Sequence, residues 1–359
     1  MATGDHNVLI HVFDEYRKTA KDFICRRDVL LEKMKYFRSY LNQSNELDEI
    51  DISVHCDVEI FEWLVEYMQP REPDSKPRIA LDNIASILVS SEFLQMDALV
   101  EECIIFITGR MQDFIQLRVD FGCLSESTIS KIADRCSADQ LQQLQDPKDK
   151  ILYKLLRRKL EALLRELQQG NSALRCCVNC DTLYLSSDEA QLHCSKGDRM
   201  LTVRGELLAV HQAKSGWTPE EWVSGIVQER GISWSGVYWF IWASTKCFIC
   251  ATCRRYCSLL EFHECAYHPG PVTGVGIEAK FSCCGARIFL GGEFDGVGCH
   301  TRDHTILASA SLAQHESVEL LMKNSDIIAA VKQSILGESL VKPAPTMDMS
   351  VVLGNRMHN

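Results

Sequence analysis

The 359-residue chain carries 46% hydrophobic residues, 17 cysteines and a formal net charge of −11. The hydrophobic share excludes a disordered chain, and the length suits two or three domains. No apolar run approaches the ~18 residues a membrane helix needs, Met1 to Val12 is expected not to be a secretion signal, and the acidic balance argues against a general nucleic-acid coat.

In chain order, Val8 to Phe13 reads as a β-rich run and Phe23-Ile24-Cys25 as a second, shorter one. Asp28 to Leu41 is expected to be one helix, with Leu30, Leu31, Met34, Phe37, Tyr40 and Leu41 on one face. Ile50 to Val54 reads as a strand. Val58 to Met68 is amphipathic through Ile60, Phe61, Leu64, Val65 and Met68. A further helix carries Ile84, Ile87, Leu88 and Phe93, and the next begins at Asp97 with Leu99, Val100, Cys103, Ile104, Phe106 and Ile107.

This order of elements resembles the BTB/POZ domain, through "FICRRDVLLEKMKYFRSYL", "VEIFEWLVEYMQ" and "IALDNIASILVSSEFLQMDALVEECIIFI". The resemblance covers residues 7–110. It implies a protein-interaction module that often dimerises and holds no catalytic residue.

Residues 111–169 read as a helical extension. Ser125 followed by Glu126 signals a helix start, and Asp146-Pro147 is expected to open a long helix. Leu152, Leu155, Leu156, Leu160, Leu163, Leu164 and Leu167 form its apolar stripe, and its basic residues read as a solvated face rather than a nucleic-acid face. Gln168 to Ser172 is a short polar link.

Beyond that link the composition changes. Cys25, Cys56, Cys103, Cys123 and Cys136 are scattered and read as small buried hydrophobes, whereas the other twelve cysteines lie between Cys176 and Cys299. Thiols of an intracellular chain stay reduced, so this clustering points to metal rather than disulfides. Cys177-x2-Cys180 has the spacing of a zinc knuckle, with Cys194 and His193 nearest as partners and Cys176 and His211 in reserve. The fourth ligand is not resolved by spacing.

Thr218-Pro219 starts a helix, and five of the six tryptophans lie between Trp217 and Trp242, where they read as core rather than as a binding cage. The strongest constellation follows: Cys247, Cys250, Cys253, Cys257, then Cys265-x2-His268-Pro269-Gly270, then Cys283-Cys284, then Gly298-Cys299-x4-His304. Soft and borderline ligands in such groups imply two tetrahedral sites. The tail from residue 305 contains one expected helix, Glu316 to Leu336, and a flexible end.

"CAYHPG", "FSCCG" and "GCHTRDH" resemble the cysteine-and-histidine-rich module called CHORD, which holds two zinc ions. The resemblance implies Cys265, His268, Cys283, Cys284, Cys299 and His304 as ligands. The opening pair departs from that module's wider spacing: Cys250 and Cys253 are the best candidates, with Cys247 and Cys257 spare, and His263 and His300 hydrogen-bond or face solvent. Which ligands serve which ion stays open.

The whole order, over residues 7–304, resembles the SANT and BTB domain regulator of class-switch recombination family. The expected fold class is α+β and multidomain: a BTB/POZ-like domain (7–110), a helical extension (111–169), a CxxC and Trp-rich segment (171–245), a CHORD-like zinc module (246–304), and a helix with a flexible tail (305–359). The chain is expected to lack the SANT domain. No H-E-x-x-H, deaminase zinc motif, P-loop or G-x-S-x-G occurs, and closed cysteine-rich sites are structural, so the chain is expected not to be an enzyme. Residues 171–310 hold 12 Lys/Arg against 14 Asp/Glu, which argues against direct nucleic-acid binding. The expectation is a regulator of transcription or recombination that dimerises through its first domain, holds two or three structural zinc ions, and binds corepressor-type partners. A cullin substrate adaptor is the alternative. The compartment is expected to be intracellular, with the nucleus favoured over the cytoplasm.

Overall fold

The computed structural model describes residues 7–41, 51–55, 57–70, 72, 76–169, 172–197, 200–201, 207–287, 298–307 and 309–337. The chain forms two compact units, residues 1–158 and 159–359. The division falls inside a helix, ahead of the expected polar link, of which residues 170 and 171 lie outside the described residues.

The first unit opens with β1 (Asn7–Asp14) and β2 (Thr19–Arg26), a longer hairpin than the two apolar runs suggest. Alternation puts Val8, Ile10 and Val12 in the core and leaves Leu9 and Phe13 on the outer face. Helices α1 (Arg27–Lys33) and α2 (Arg38–Leu41) follow, then β3 (Asp51–His55). The sheet runs β2-β1-β3, antiparallel between β1 and β2 and parallel between β1 and β3.

The single helix expected from Asp28 to Leu41 is broken. Met34 leaves helical geometry (φ −117°, ψ 83°), Lys35–Phe37 form a 3₁₀ turn, and the Tyr36 amide donates to the Leu94 carbonyl at 3.3 Å. Leu30, Met34, Phe37 and Leu41 are nonetheless all buried, because the kink keeps them on one side. The Tyr40 side chain lies outside the described residues.

Helix α3 (Val58–Met68) is capped by Asp57, whose carboxylate accepts from the Glu59 and Ile60 amides at 2.8 and 3.2 Å. It buries Phe61, Leu64 and Met68. Helices α4 (Ile84–Phe93) and α5 (Asp97–Gly109) supply Ile84, Ile87, Leu88, Leu99, Cys103, Ile104 and Ile107 to the same core. Phe93 is exposed at the end of α4, with its ring 4.9 Å from that of Tyr36.

Then come α6 (Met111–Gln116), α7 (Glu126–Arg135), α8 (Ala138–Gln142) and α9 (Leu152–Leu167). Ser125 caps α7 as its sequence indicates, accepting from the Thr128 amide at 3.1 Å. The long helix α9 starts at Leu152 rather than at Pro147. Asp149 turns left-handed (φ 45°) and interrupts the chain there, while the Asp146 carboxylate reaches on to the Ile151 and Leu152 amides at 2.9 and 3.1 Å. Of the scattered cysteines, Cys25, Cys103 and Cys136 are buried. Cys123 is exposed, in a 3₁₀ turn where its thiol donates to the Asp120 carbonyl at 2.9 Å, and Cys56 lies outside the described residues.

The second unit contains β4 (Leu174–Cys176), β5 (Leu183–Leu185), β6 (Met200–Leu201), β7 (Leu207–Leu208), α10 (Pro219–Arg230) and α11 (Trp234–Thr245). There follow β8 (Cys247–Ile249), β9 (Tyr256–Ser258), β10 (Cys265–Tyr267), β11 (Val272–Thr273), β12 (Lys280–Phe281) and β13 (His300–Arg302), then α12 (Leu312–Lys323) and α13 (Ser325–Leu336). Its strands pair in twos. Such small ladders bury little by themselves, and α11 supplies the missing core. It packs on α10, α13, β5 and β9 and buries Val237, Trp239, Phe240, Ile241 and Trp242. The Trp239 and Trp242 rings meet edge to face at 5.2 Å, as core side chains rather than cage walls, while Trp217, Trp222 and Trp234 are half-buried. The one helix expected from Glu316 is two helices. Asn324 (φ −113°, ψ 14°) separates them, buried, with its side-chain Nδ2 donating to the Leu320 carbonyl at 2.8 Å. Residues 338–359, expected as the flexible end, lie outside the described residues.

Candidate metal centres

Three four-residue clusters form in the second unit, each of three cysteines and one histidine: Cys177, Cys180, Cys194 and His211; Cys250, Cys253, Cys265 and His304; and His268, Cys283, Cys284 and Cys299. Within each, the ligand-type atoms all lie within 4.8 Å of one another. All eleven residues singled out in the sequence fall into these clusters. The fourth member of the first is His211, held in reserve by the sequence, while Cys176 and His193 lie outside it. Cys247 and Cys257 also stay out, and His263 pairs with Asp303 at 2.8 Å.

The clusters share one backbone design. In the first, the Cys177 amide donates to the Thr182 carbonyl at 3.0 Å and the Asp181 amide returns to the Cys177 carbonyl at 3.1 Å. In the second, Cys250 donates to Arg255 at 2.9 Å and Arg254 returns to Cys250 at 3.0 Å. In the third, Phe281 donates to Ala286 at 2.9 Å and Gly285 returns to Phe281 at 2.8 Å. The returning residue is left-handed each time: Asp181 (φ 58°), Arg254 (φ 59°) and Gly285 (φ 73°). Each turn thus aims successive amides and side chains inward, as a knuckle around a cation requires.

The third knuckle differs in its side chains. Its first position, occupied by Cys177 and Cys250 in the others, is Phe281. The thiols move to the third and fourth positions, Cys283 and Cys284. The phenyl ring instead stacks on His268, with centroids 3.7 Å apart. Aromatic rings also back the other imidazoles, Tyr184 against His211 at 4.9 Å and Phe248 against His304 at 6.0 Å. This common backbone is what sequence reading misses, because CxxC and FxCC do not look alike as text.

An antiparallel ladder sets the nesting of the second and third ligand sets. Strand β10 pairs with β13, Cys265 opposite Arg302 and Tyr267 opposite His300. One end of the ladder carries Cys265 and leads to His304, while the other leads to His268 and Cys299. Gly298 lets the strands close, since a Cβ there would sit 1.9 Å from the Tyr267 amide nitrogen.

Thiol chemistry favours a cation in each cluster. Burial alone would push Cys250 up, but amide hydrogen bonds from Cys253, the His304 side chain and the Thr305 and Thr252 backbone bring it down to about 5. Against its own burial, hydrogen bonds from Gln212, Cys180 and Asn179 lower Cys177. In the third cluster the Gly270 backbone, Cys299 and His268 outweigh burial and bring Cys283 down to about 7. The neighbouring thiols are pushed up, Cys180 and Cys265 to about 12 each, by burial and then by the adjacent sulfurs. The chain favours the thiolate form of Cys177, Cys250 and Cys283, and a cation would relieve the repulsion that raises Cys180 and Cys265. Burial, then His193, lowers His211 to about 4, leaving the neutral ring a ligand needs. The Cys177–Cys194 and Cys250–Cys265 sulfur separations are both 3.8 Å. A zinc tetrahedron with bonds of about 2.3 Å has edges of about that length. The three clusters could hold metal ions and are compatible with zinc.

The first unit has no such cluster among its described residues; its identity comes from comparison. Residues 8–104 match the family described as SANT and BTB domain regulator of CSR, BTB domain. This segment is a BTB domain. The match lies within the first unit and stops short of the clusters. BTB domains generally mediate protein–protein interaction and dimerisation. With the BTB domain and the Cys/His clusters in place, the α+β multidomain fold class expected from sequence holds. No helix among the described residues is long and apolar enough to cross a membrane.

On the BTB domain, the outer face of the β1–β2 hairpin is apolar as well as exposed: Leu9 and Ile24 stand opposite one another in register, with Phe13 further along β1.

Proposed function

We propose that the chain is a non-enzymatic interaction scaffold in transcriptional or recombination regulation. Two copies pair through the BTB domain, and three structural zinc ions, one per cluster, shape the second unit into a partner-binding surface. The observation that carries this is the donor set: each cluster has four protein ligands, three of them thiols. A tetrahedral zinc so bound has no open position for a water or substrate, which is the pattern of structural rather than catalytic sites. The second and third clusters then correspond to a CHORD-like module, with Cys250 and Cys253 as its opening pair.

Dimerisation is supported by the exposed Leu9, Ile24 and Phe13, which a second copy would cover. Partners of corepressor type fit a regulator in the nucleus. The test uses the full chain: light scattering for mass, elemental analysis for metal, and affinity capture for partners. A dimer with three zinc ions per chain and a bound corepressor is expected. A monomer, metal-free folded protein, or capture of a cullin instead would overturn the corresponding part.

A further inference from the structure

The three clusters are not equally protected. All four residues of the first are buried, as are Cys250, Cys265 and His304 of the second. In the third, Cys284 and Cys299 are exposed, and His268 and Cys283 are only partly covered. The Cys299 and Cys283 sulfurs stand 3.4 Å apart, against 3.8 Å for the facing cysteines in each of the other two. Cys299 also has a neighbour outside the cluster, His300 Nδ1, at 3.1 Å. Thiolate oxidation follows exposure as well as thiolate character, and two sulfurs in contact resolve to a disulfide.

We propose that the third cluster is a thiol switch: a hydroperoxide joins Cys283 to Cys299 and expels the zinc of that site, while the other two sites keep theirs. This rests on zinc occupying the clusters. The exposed Cys299 sulfur, a thiolate while it holds zinc, attacks one peroxide oxygen. The O–O bond breaks, a sulfenic acid forms, and the departing oxyanion takes a proton from solvent. The Cys283 thiolate then attacks the sulfenic sulfur. The S–S bond forms, the S–O bond breaks, and hydroxide leaves and is protonated to water. The two thiolates lose two electrons and the hydroperoxide gains them. Zinc is left with Cys284 and His268 alone, too few ligands to hold it. A reducing thiol reverses the step.

The experiment treats the zinc-loaded full chain with hydrogen peroxide. Released zinc is followed with a chromophoric chelator, residual zinc by native mass spectrometry, and disulfides by peptide mapping. Loss of one of three zinc ions is expected, with a Cys283–Cys299 disulfide and recovery after dithiothreitol and added zinc. Release of none, simultaneous release of all three, or a disulfide within the first cluster would overturn the switch while leaving structural zinc in place. Untreated folded protein without zinc would overturn the structural-zinc reading itself, and the switch with it.

Discussion

The Tyr256 hydroxyl donates to the Asp188 carboxylate at 3.0 Å, tying the hairpin of the second cluster to the segment that carries the first. Tyr256 follows the left-handed turn of its knuckle by two residues, and with Cys247 it packs on the buried group formed by Cys177, Cys180, Tyr184, Leu192 and Cys194. Burial, then Cys247 and Asp188, pushes the phenol up, so it stays a donor. Tyr256→Phe should therefore cost about 1 kcal/mol, the net value of one hydrogen bond, with all metal retained. Urea denaturation followed by tryptophan fluorescence checks this, since five of the six tryptophans lie in the second unit. An unchanged midpoint would show that the bond contributes no stability.

His211 completes the first cluster and His193 does not. On the proposed occupancy of one zinc ion per cluster, His211→Ala should lower the metal content by one ion per chain, whereas His193→Ala should leave it unchanged. Native mass spectrometry separates the two outcomes, and equal losses would contradict the assignment.

Gly298 is needed for the close approach of β13 to β10. A methyl at this position meets backbone, not a movable side chain. Gly298→Ala should pull the ladder apart and empty the second and third clusters together, leaving one zinc ion. Gly225, in α10, has nothing within 4 Å of a built Cβ, and Gly225→Ala should be neutral or slightly stabilising.

Gly236 lets α11 and α13 pack closely, because an added Cβ would lie 2.8 Å from the Val331 side chain. Gly236→Ala should destabilise the second unit by about 1–3 kcal/mol through overpacking. The double variant with Val331→Ala should recover part of that loss. No recovery in denaturation midpoints would place the strain elsewhere.

In the first unit, burial pushes the Cys25 thiol up to about 11; burial, then Glu102, pushes Cys103 to about 12. Both folded-state values lie above the ordinary thiol value of 9.0. The folded state therefore keeps protons that the unfolded state loses. Stability from these groups is fully present below the ordinary value and is lost as pH rises through the folded values. Urea midpoints followed by circular dichroism should fall over that range, and less steeply in a Cys25→Ala, Cys103→Ala variant.

Much of this protein is legible along the chain. A near-continuous β-rich apolar run marks β1, caps at Ser125 and Thr218 mark helix starts, and the crowding of thiols after residue 175 marks out the candidate ligands. These are local properties, set by side-chain period and by what a buried backbone or cation needs nearby. The breaks at Met34, Asp149 and Asn324 are not of that kind. Each is a helical sequence interrupted where packing or a competing hydrogen bond outweighs propensity. Ligand partition is likewise tertiary: Cys265 and His268 are three residues apart, yet they enter different clusters because a strand lies between them and carries them to opposite ends of one ladder. The choice of His211 over His193 follows the same rule. Sequence lists the atoms that could bind metal, and only the pairing of distant strands decides which of them meet.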